Sequence, residues 1–236
     1  GGLSGSSFKP AINNNITNRK GIDFNIKGQK QFGEIYAELG LTGTFLWTRN
    51  SKYDEVNPYD YMNHEGKSMD AIWGYKCLGF YTYDDFNITE RDGKIIYNLK
   101  EGLPTSKLTA TLQPGDLKYE DFNHDGFIDT KDQVELAKRG TFGTPYMFGL
   151  NLTLKYKNFT LFAVGSGQFG ACELRNNSYY YMQGENKYSV NARGRWTPET
   201  GDAATYPALH TDGTSQNHVL NTFFQKNNPY LRLKNV

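Results

Sequence analysis

Tyr146-Met147-Phe148-Gly149-Leu150-Asn151-Leu152-Thr153-Leu154-Lys155-Tyr156 alternates without a break. Tyr146, Phe148, Leu150, Leu152, Leu154 and Tyr156 fall on one face, and Met147, Gly149, Asn151, Thr153 and Lys155 on the other. Successive side chains of a strand point to opposite faces, so this period of two predicts a β-strand with one apolar face, closed at each end by a tyrosine. Working outward, Lys157-Asn158 reads as a tight turn into a further strand from Phe159 to Gln168, which is apolar on both parities, so its facing stays open. Upstream, Phe32 to Trp47 alternates the same way. Ile35, Ala37, Leu39, Leu41, Gly43, Phe45 and Trp47 lie on one side, with Glu34, Tyr36, Glu38, Gly40, Thr42 and Thr44 on the other. Gly21 to Gly28 aligns Ile22, Phe24 and Ile26, which predicts a hairpin turning near Gly28 to Gln31. Tyr230-Leu231-Arg232-Leu233-Lys234 resumes the alternation at the other end of the chain.

Two architectures give strands one continuous apolar face. A soluble sandwich packs that face on a second sheet. An outer-membrane barrel turns it to lipid, lines its interior with the polar face, gathers aromatics at the interfaces, and has short turns on one side and long loops on the other. The strands run about 10 to 16 residues, longer than the 5 to 6 typical of globular proteins and enough to span a bilayer at a tilt. Glu34, Glu38 and Lys155 all fall on the polar face. Short turns alternate with long connections at about 48–145 and 170–229, and compact domains rarely carry connections of that length. The expected fold class is therefore all-β, with antiparallel strands of an outer-membrane β-barrel and long extracellular loops, only part of a barrel being encoded here. Within the first connection Ala71 to Tyr83 reads as β-like, and Thr130 to Lys138 as a short helix.

Composition agrees. Aromatics make up 15% of the 236 residues and glycine contributes 25, which suits β-structure with long polar loops. The net charge of +1 and the interspersed charges leave no footprint for nucleic acid. No run of apolar residues is long enough for a transmembrane helix, which says nothing against a barrel. Gly1-Gly2-Leu3-Ser4-Gly5-Ser6-Ser7 lacks the basic start and apolar core of a signal peptide and reads as an expression scar on an internal piece. Cys77 and Cys172 lie far apart without scaffold spacing, so pairing stays open.

The most specific chemical pattern is Asp121-Phe122-Asn123-His124-Asp125-Gly126-Phe127-Ile128-Asp129-Thr130-Lys131-Asp132. A hard cation needs several oxygens converging on one point, and alternate residues of a curled loop supply them. Asp121, Asn123 and Asp125 would ligate through side chains and Phe127 through its carbonyl. Asp129 would ligate directly or through water, and Asp132 would close the shell. Gly126 permits the turn, Ile128 points into an apolar neighbour, and His124 points to solvent. Asp132 replaces the longer Glu of an EF-hand, which weakens closure. Calcium is the expected ion, structural in role, with magnesium as the alternative. The competing reading is a turn held by its own Asx-type hydrogen bonds.

Aromatic rings offer flat apolar faces to sugars or peptide side chains, which makes Tyr179, Tyr180, Tyr181, Tyr81 and Tyr83, with Trp73 and Tyr75, ligand-contact candidates. Each competes with a place in a small core that holds a long loop folded. Trp73 and Trp196 read as structural. His64, His210 and His218 have no partners at metal spacing, and no nucleophile-base or paired-carboxylate constellation is visible, so an enzyme is not expected.

Several blocks resemble the SusC/RagA-type TonB-linked outer-membrane proteins. They are Asn18-Arg19-Lys20-Gly21-Ile22-Asp23, Ile72 to Tyr81, Pro114 to Asp121 running into the acidic loop, the strand from Tyr146, Arg195-Trp196-Thr197-Pro198-Glu199, and Tyr230 to Val236. In that family these blocks follow one another in the C-terminal part of the barrel. The resemblance implies a barrel of about 22 strands, occluded by a plug, that imports oligosaccharides or peptides with energy delivered by TonB and pairs with a SusD-like surface lipoprotein. Residues 1–236 would be a partial barrel region without the plug, so contact with TonB would run through segments outside this chain. The wall would face outer-membrane lipid, and the long loops would form a substrate vestibule and lipoprotein docking surface on the extracellular side. Two other readings stay open: a soluble, calcium-stabilised β-sandwich that binds carbohydrate, and a dockerin-like segment, although only one copy of the calcium loop is present.

Overall fold

The computed structural model describes residues 13–140, 145–182, 184, 189–211 and 215–236, so the Gly1–Ser7 stretch lies outside the described residues. Five long strands form one antiparallel sheet in the order Ile16–Phe32, Ile35–Lys52, Tyr146–Tyr156, Phe159–Phe169, Tyr230–Asn235. Opposed residues of an antiparallel pair share a face, so the register fixes every facing. Leu150 opposes Leu41 on one side and Gly165 on the other, and Leu154 opposes Ala37 and Leu161. The strand whose facing the sequence left open therefore turns Phe159, Leu161, Ala163, Gly165, Gly167 and Phe169 to the apolar face. That face stays exposed: Leu41 is 42%, Leu150 40% and Leu161 45% accessible. No second sheet covers it among the described residues, whereas a soluble sandwich would bury such a face against one.

The apolar face is organised in transverse rows. One row reads Phe24, Gly43, Phe148, Gly167, with aromatic and glycine alternating from strand to strand. A Cβ at Gly43 would stand 2.2 Å from the Phe24 ring, and one at Gly167 would stand 2.2 Å from the Phe148 ring, so each ring lies over the bare backbone of its neighbour. The next row outward is Ile22, Phe45, Tyr146 and Phe169. Its rings touch, with Phe45 to Tyr146 at 5.8 Å and Tyr146 to Phe169 at 4.7 Å between centroids. Phe32, Ile35, Tyr156 and Phe159 close the opposite end. Tyr146 and Tyr156 bound an 11-residue strand. At about 3.4 Å per residue and a tilt of about 45°, they stand roughly 24 Å apart along the membrane normal, the height of a lipid-facing band between aromatic girdles. On the opposite face Glu38 accepts from Tyr36 and pairs with Lys27 at 2.9 Å, keeping charge away from lipid.

Both wall turns lie at one end. Lys157-Asn158 turns as expected, with Lys157 at φ +52°. The first hairpin turns at Gly33-Glu34 rather than Gly28 to Gln31. Gly33 adopts φ +58°, while Gly28 continues the ladder opposite Leu39 and Gln29 binds Tyr36 at 2.9 Å. Glu34 consequently sits in the turn and meets Lys157 at 3.6 Å.

At the other end the two long connections fold together into a cap, with five short two-stranded sheets among the described residues. Its core gathers Tyr75, Leu117, Tyr119 and Ile128 from the first connection with Met182, Tyr206 and Phe224 from the second. The β-like reading of Ala71 to Tyr83 becomes the strands Ala71–Gly74 and Cys77–Phe80. The expected helix from Thr130 to Lys138 shrinks to a single 3-10 turn, Thr130–Asp132, followed by the strand Val134–Lys138 paired with Ala71–Gly74. Burial of Val134 and the available partner edge override the helix preference of Glu, Leu, Ala and Lys. Cys77 and Cys172 are not joined.

Candidate functional site

The acidic loop is held from three directions. Tyr61 donates from its hydroxyl to the Lys131 carbonyl at 2.6 Å and packs edge-on to Phe122 at 4.6 Å. Phe127–Ile128 pairs in parallel with Thr105–Ser106, and Ile128 plugs into the cap core. Asp132, 1% exposed, accepts from the Phe122 N–H at 2.9 Å and the Asp129 N–H at 2.7 Å.

Within the loop, Asp121 accepts from the N–H groups of Asp125 (3.2 Å) and Gly126 (2.8 Å), Asn123 accepts from Asp125 N–H (3.1 Å), and Asp125 accepts from Phe127 N–H (3.0 Å). These bonds curl the chain around its own acidic side chains, with Gly126 at φ +83° and His124 exposed at φ +57°. The ladder to Thr105 and Lys107 uses the carbonyls of Gly126 and Ile128, which turns that of Phe127 to the opposite side, as position 7 of a calcium loop needs. Each carboxylate oxygen keeps a lone pair after accepting one N–H, so the donors suit a hard cation chemically. Cations of the protein are the neighbours here: Lys131 reaches Asp125 at 3.3 Å and Lys107 reaches Asp129 at 3.2 Å. No three acidic, histidine or cysteine side chains converge on one point among the described residues. Burial, opposed by its N–H donors, pushes the Asp132 carboxyl above the usual carboxylate range. The Lys131 N–H holds Asp129 below that range, and donors from Asn123, Phe127 and Lys131 hold Asp125 below it against its own desolvation.

The tyrosines divide. Tyr81 is 1% exposed and lies under Phe86 in the cap. Tyr181 donates to the Val219 carbonyl at 3.0 Å and packs edge-on to Phe224, and burial pushes its hydroxyl up to about 12. Tyr75 stacks in the same core, and Trp73 lies against His64 at 4.5 Å. Tyr180 is half-buried between the Arg175 guanidinium and Tyr179. Tyr83 and Tyr179 present open faces, at 42% and 50% exposure. Tyr83 borders an open cleft with Tyr97, Trp196, Gln113 and Arg195, and sequence reasoning did not single out Tyr97.

A polar latch joins the two connections, and no motif or periodicity marks its residues. Asp116, fully buried, accepts from His210 Nε2 (2.5 Å), Asn217 Nδ2 (2.8 Å) and the Gln113 N–H (2.9 Å). Asn217 accepts from the Leu117 N–H at 2.7 Å, and Gln216 donates to the Leu117 carbonyl at 2.6 Å. Tyr119 donates to the Gln216 carbonyl and accepts from Asn221. Beside it burial, with His210 nearby, lowers His218 to about 4 and keeps it neutral in the core. The latch requires Gly115 at φ +89°, where a Cβ would stand 2.6 Å from the Trp196 ring.

No family model matches this sequence. Among curated proteins the chain is similar to TonB-dependent receptor P26 of Formosa agariphila, at 31% identity over 178 residues covering 72% of this chain and 15% of that protein. Among solved structures it is similar to the RagAB peptide importer. The closed-closed state gives a TM-score of 0.55 at 14% identity, covering 92% of this chain and 22% of that one. The open-open state gives 0.54 at 15% identity, covering 93% and 22%. These structural likenesses concern the fold. The chain spans about a seventh of the length of the curated relative it matches.

Proposed function

Because this chain belongs to the TonB-dependent receptors, which are outer-membrane proteins, we propose that it forms part of the wall and surface cap of a nutrient importer. The observation that carries this reading is the asymmetry of the wall: both two-residue turns lie at one end, and both long connections pack into a single cap at the other. In barrels of this kind short turns face the periplasm and long loops face outward. The cap would then line the entrance through which oligosaccharides or peptides pass, with the open faces of Tyr83 and Tyr179 as contact surfaces, and would dock a SusD-like surface lipoprotein. Transport would draw on TonB through segments outside this chain. Val56 is fully exposed in the cap. A peptide epitope inserted beside Val56 in the full-length receptor is expected to be stained on intact cells, and one inserted at Lys157-Asn158 only after permeabilisation. The reverse pattern would sink the orientation. Cells carrying the receptor as their only route for an oligosaccharide or peptide nutrient should lose growth on it when the gene is deleted.

The acidic loop serves as a structural staple for calcium within this reading. Binding would swing the Lys131 ammonium off Asp125 and gather Asp121, Asn123, Asp125, the Phe127 carbonyl, Asp129 and Asp132 around the ion. Ordering so long a connection is entropically costly, and an ion that binds only the folded loop offsets part of that cost. Calcium is therefore expected to slow proteolysis of the cap in the intact receptor, and Asp125→Ala to abolish the difference between cleavage with calcium and with chelator. Equal cleavage with calcium and with chelator in the wild type excludes the staple.

A further inference from the structure

Beyond the outer aromatic row, the lipid-facing side of the wall changes chemistry. Lys20 opposes Trp47 and Asn18 opposes Arg49, so these four share the face of Phe45. At about 3.4 Å per residue and a tilt of about 45°, Trp47 lies roughly 5 Å and Arg49 roughly 10 Å farther out than Phe45. The headgroup layer of a bilayer begins at that height and is about 5 to 8 Å deep. Trp47, 45% exposed, is the side chain that sits best at such an interface.

A pinned turn completes the site. Asn50 N–H donates to the Lys67 carbonyl at 2.9 Å, Gly66 N–H to the Asn50 carbonyl at 2.7 Å, and Asn50 Nδ2 to the His64 carbonyl at 3.3 Å. Glu65 and Gly66 are thereby set against the wall strand and, with Asn18, Lys20, Trp47, Arg49 and Ser51, enclose an open cleft of about 380 Å³. Gly66 holds φ +81°, and a Cβ there would stand 3.3 Å from the Arg49 guanidinium, so glycine leaves room for that side chain. Asn18 donates to Ser51 at 2.5 Å, fixing the far side. Lys20 and Arg49 make no ion pair among the described residues, and Glu65 is the one acid of the lining.

We propose that this cleft binds the phosphate-bearing headgroup of an outer-leaflet lipid. Arg49 takes phosphate oxygens through its planar fork, Lys20 adds a second cation, and Trp47 packs where headgroup meets chain. The acyl chains lie along Ile22, Phe24 and Phe45 directly below. The site rests on the reading of the exposed apolar face as lipid-facing. In the test, intact receptor purified in detergent is titrated with monophosphorylated lipid A, the same glycolipid without phosphate, and inorganic phosphate, and bound species are counted by native mass spectrometry. The phosphorylated lipid should bind about tenfold more tightly than its dephosphorylated form and about tenfold more tightly than to the Lys20→Gln/Arg49→Gln variant, the loss expected for two charge-assisted contacts. Glu65→Gln, which removes the one opposing charge, should tighten binding. Equal binding by the double variant, equal binding of both lipids, weaker binding by Glu65→Gln, or a preference for free phosphate each overturns the site. Wild-type surface staining of the Val56 epitope in the variants shows that the wall has inserted, which separates loss of this site from failure of the lipid-facing reading.

Discussion

Asp116→Ala is expected to destabilise the cap by about 3 to 5 kcal/mol, the usual consequence of deleting one partner of a buried charged network. Three donors converge on this carboxylate from both long connections: His210, Asn217 and the Gln113 N–H. Removing it takes an acceptor from all three around a fully buried position, and a buried donor that loses its acceptor carries a desolvation penalty. Asp116→Asn should cost less, because the amide oxygen still accepts one hydrogen bond. The Asn217→Ala change leaves the Leu117 N–H without its acceptor and takes one of three donors from Asp116, so the double variant should fall short of the sum of the singles. Limited proteolysis of the intact receptor in increasing urea would measure each step. A cap as resistant in Asp116→Ala as in the wild type would show that the latch does not hold the two connections together.

The second large effect is confined to one face of the wall. Leu41 lies midway between the aromatic rows, opposite Ile26 and Leu150. Arginine there should cost about 2 to 4 kcal/mol, the penalty for a charge on the lipid side of a barrel near the midplane. Asn151 is opposite Gly40 and Val164 on the other face, and Asn151→Arg should change folding little. Folded receptor recovered from the outer membrane, or urea-dependent refolding into lipid vesicles, compares the two directly. Equal loss from both substitutions would mean that the apolar face does not meet lipid.

The wall was legible because its rule is local and repeated. Every other residue from Ile35 to Trp47 and from Tyr146 to Tyr156 reports the same face, so strand existence and orientation needed no partner. The first turn was misplaced because two glycines, Gly28 and Gly33, both permit one; only pairing with the next strand shows that Gly28 stays in register. Phe159 to Phe169 is apolar on both parities, and its neighbour decides which parity faces out. The cap had no such rule. Leu117, Tyr119 and Ile128 come from strands of two or three residues, Tyr75, Met182, Tyr206 and Phe224 lie outside any strand, and Asp116 and His210 stand 94 positions apart, beyond the reach of any periodicity. Burial of Tyr81 and Tyr181, and exposure of Tyr83 and Tyr179, likewise depend on what the rest of the cap places over them. The acidic loop was readable as a pattern because its hydrogen bonds run within a dozen residues.

The latch also sets an order of events during biogenesis. Its two halves flank the Tyr146–Phe169 hairpin, so that whole hairpin is synthesised before the second half exists to meet the first. Loop closure over so many residues is slow, since its entropic cost precedes any contact that rewards it. Leu117 and Tyr119 therefore wait, apolar and uncovered, until Asn217 and Phe224 arrive. That interval, rather than the finished barrel, is when this segment most needs the protection of a chaperone.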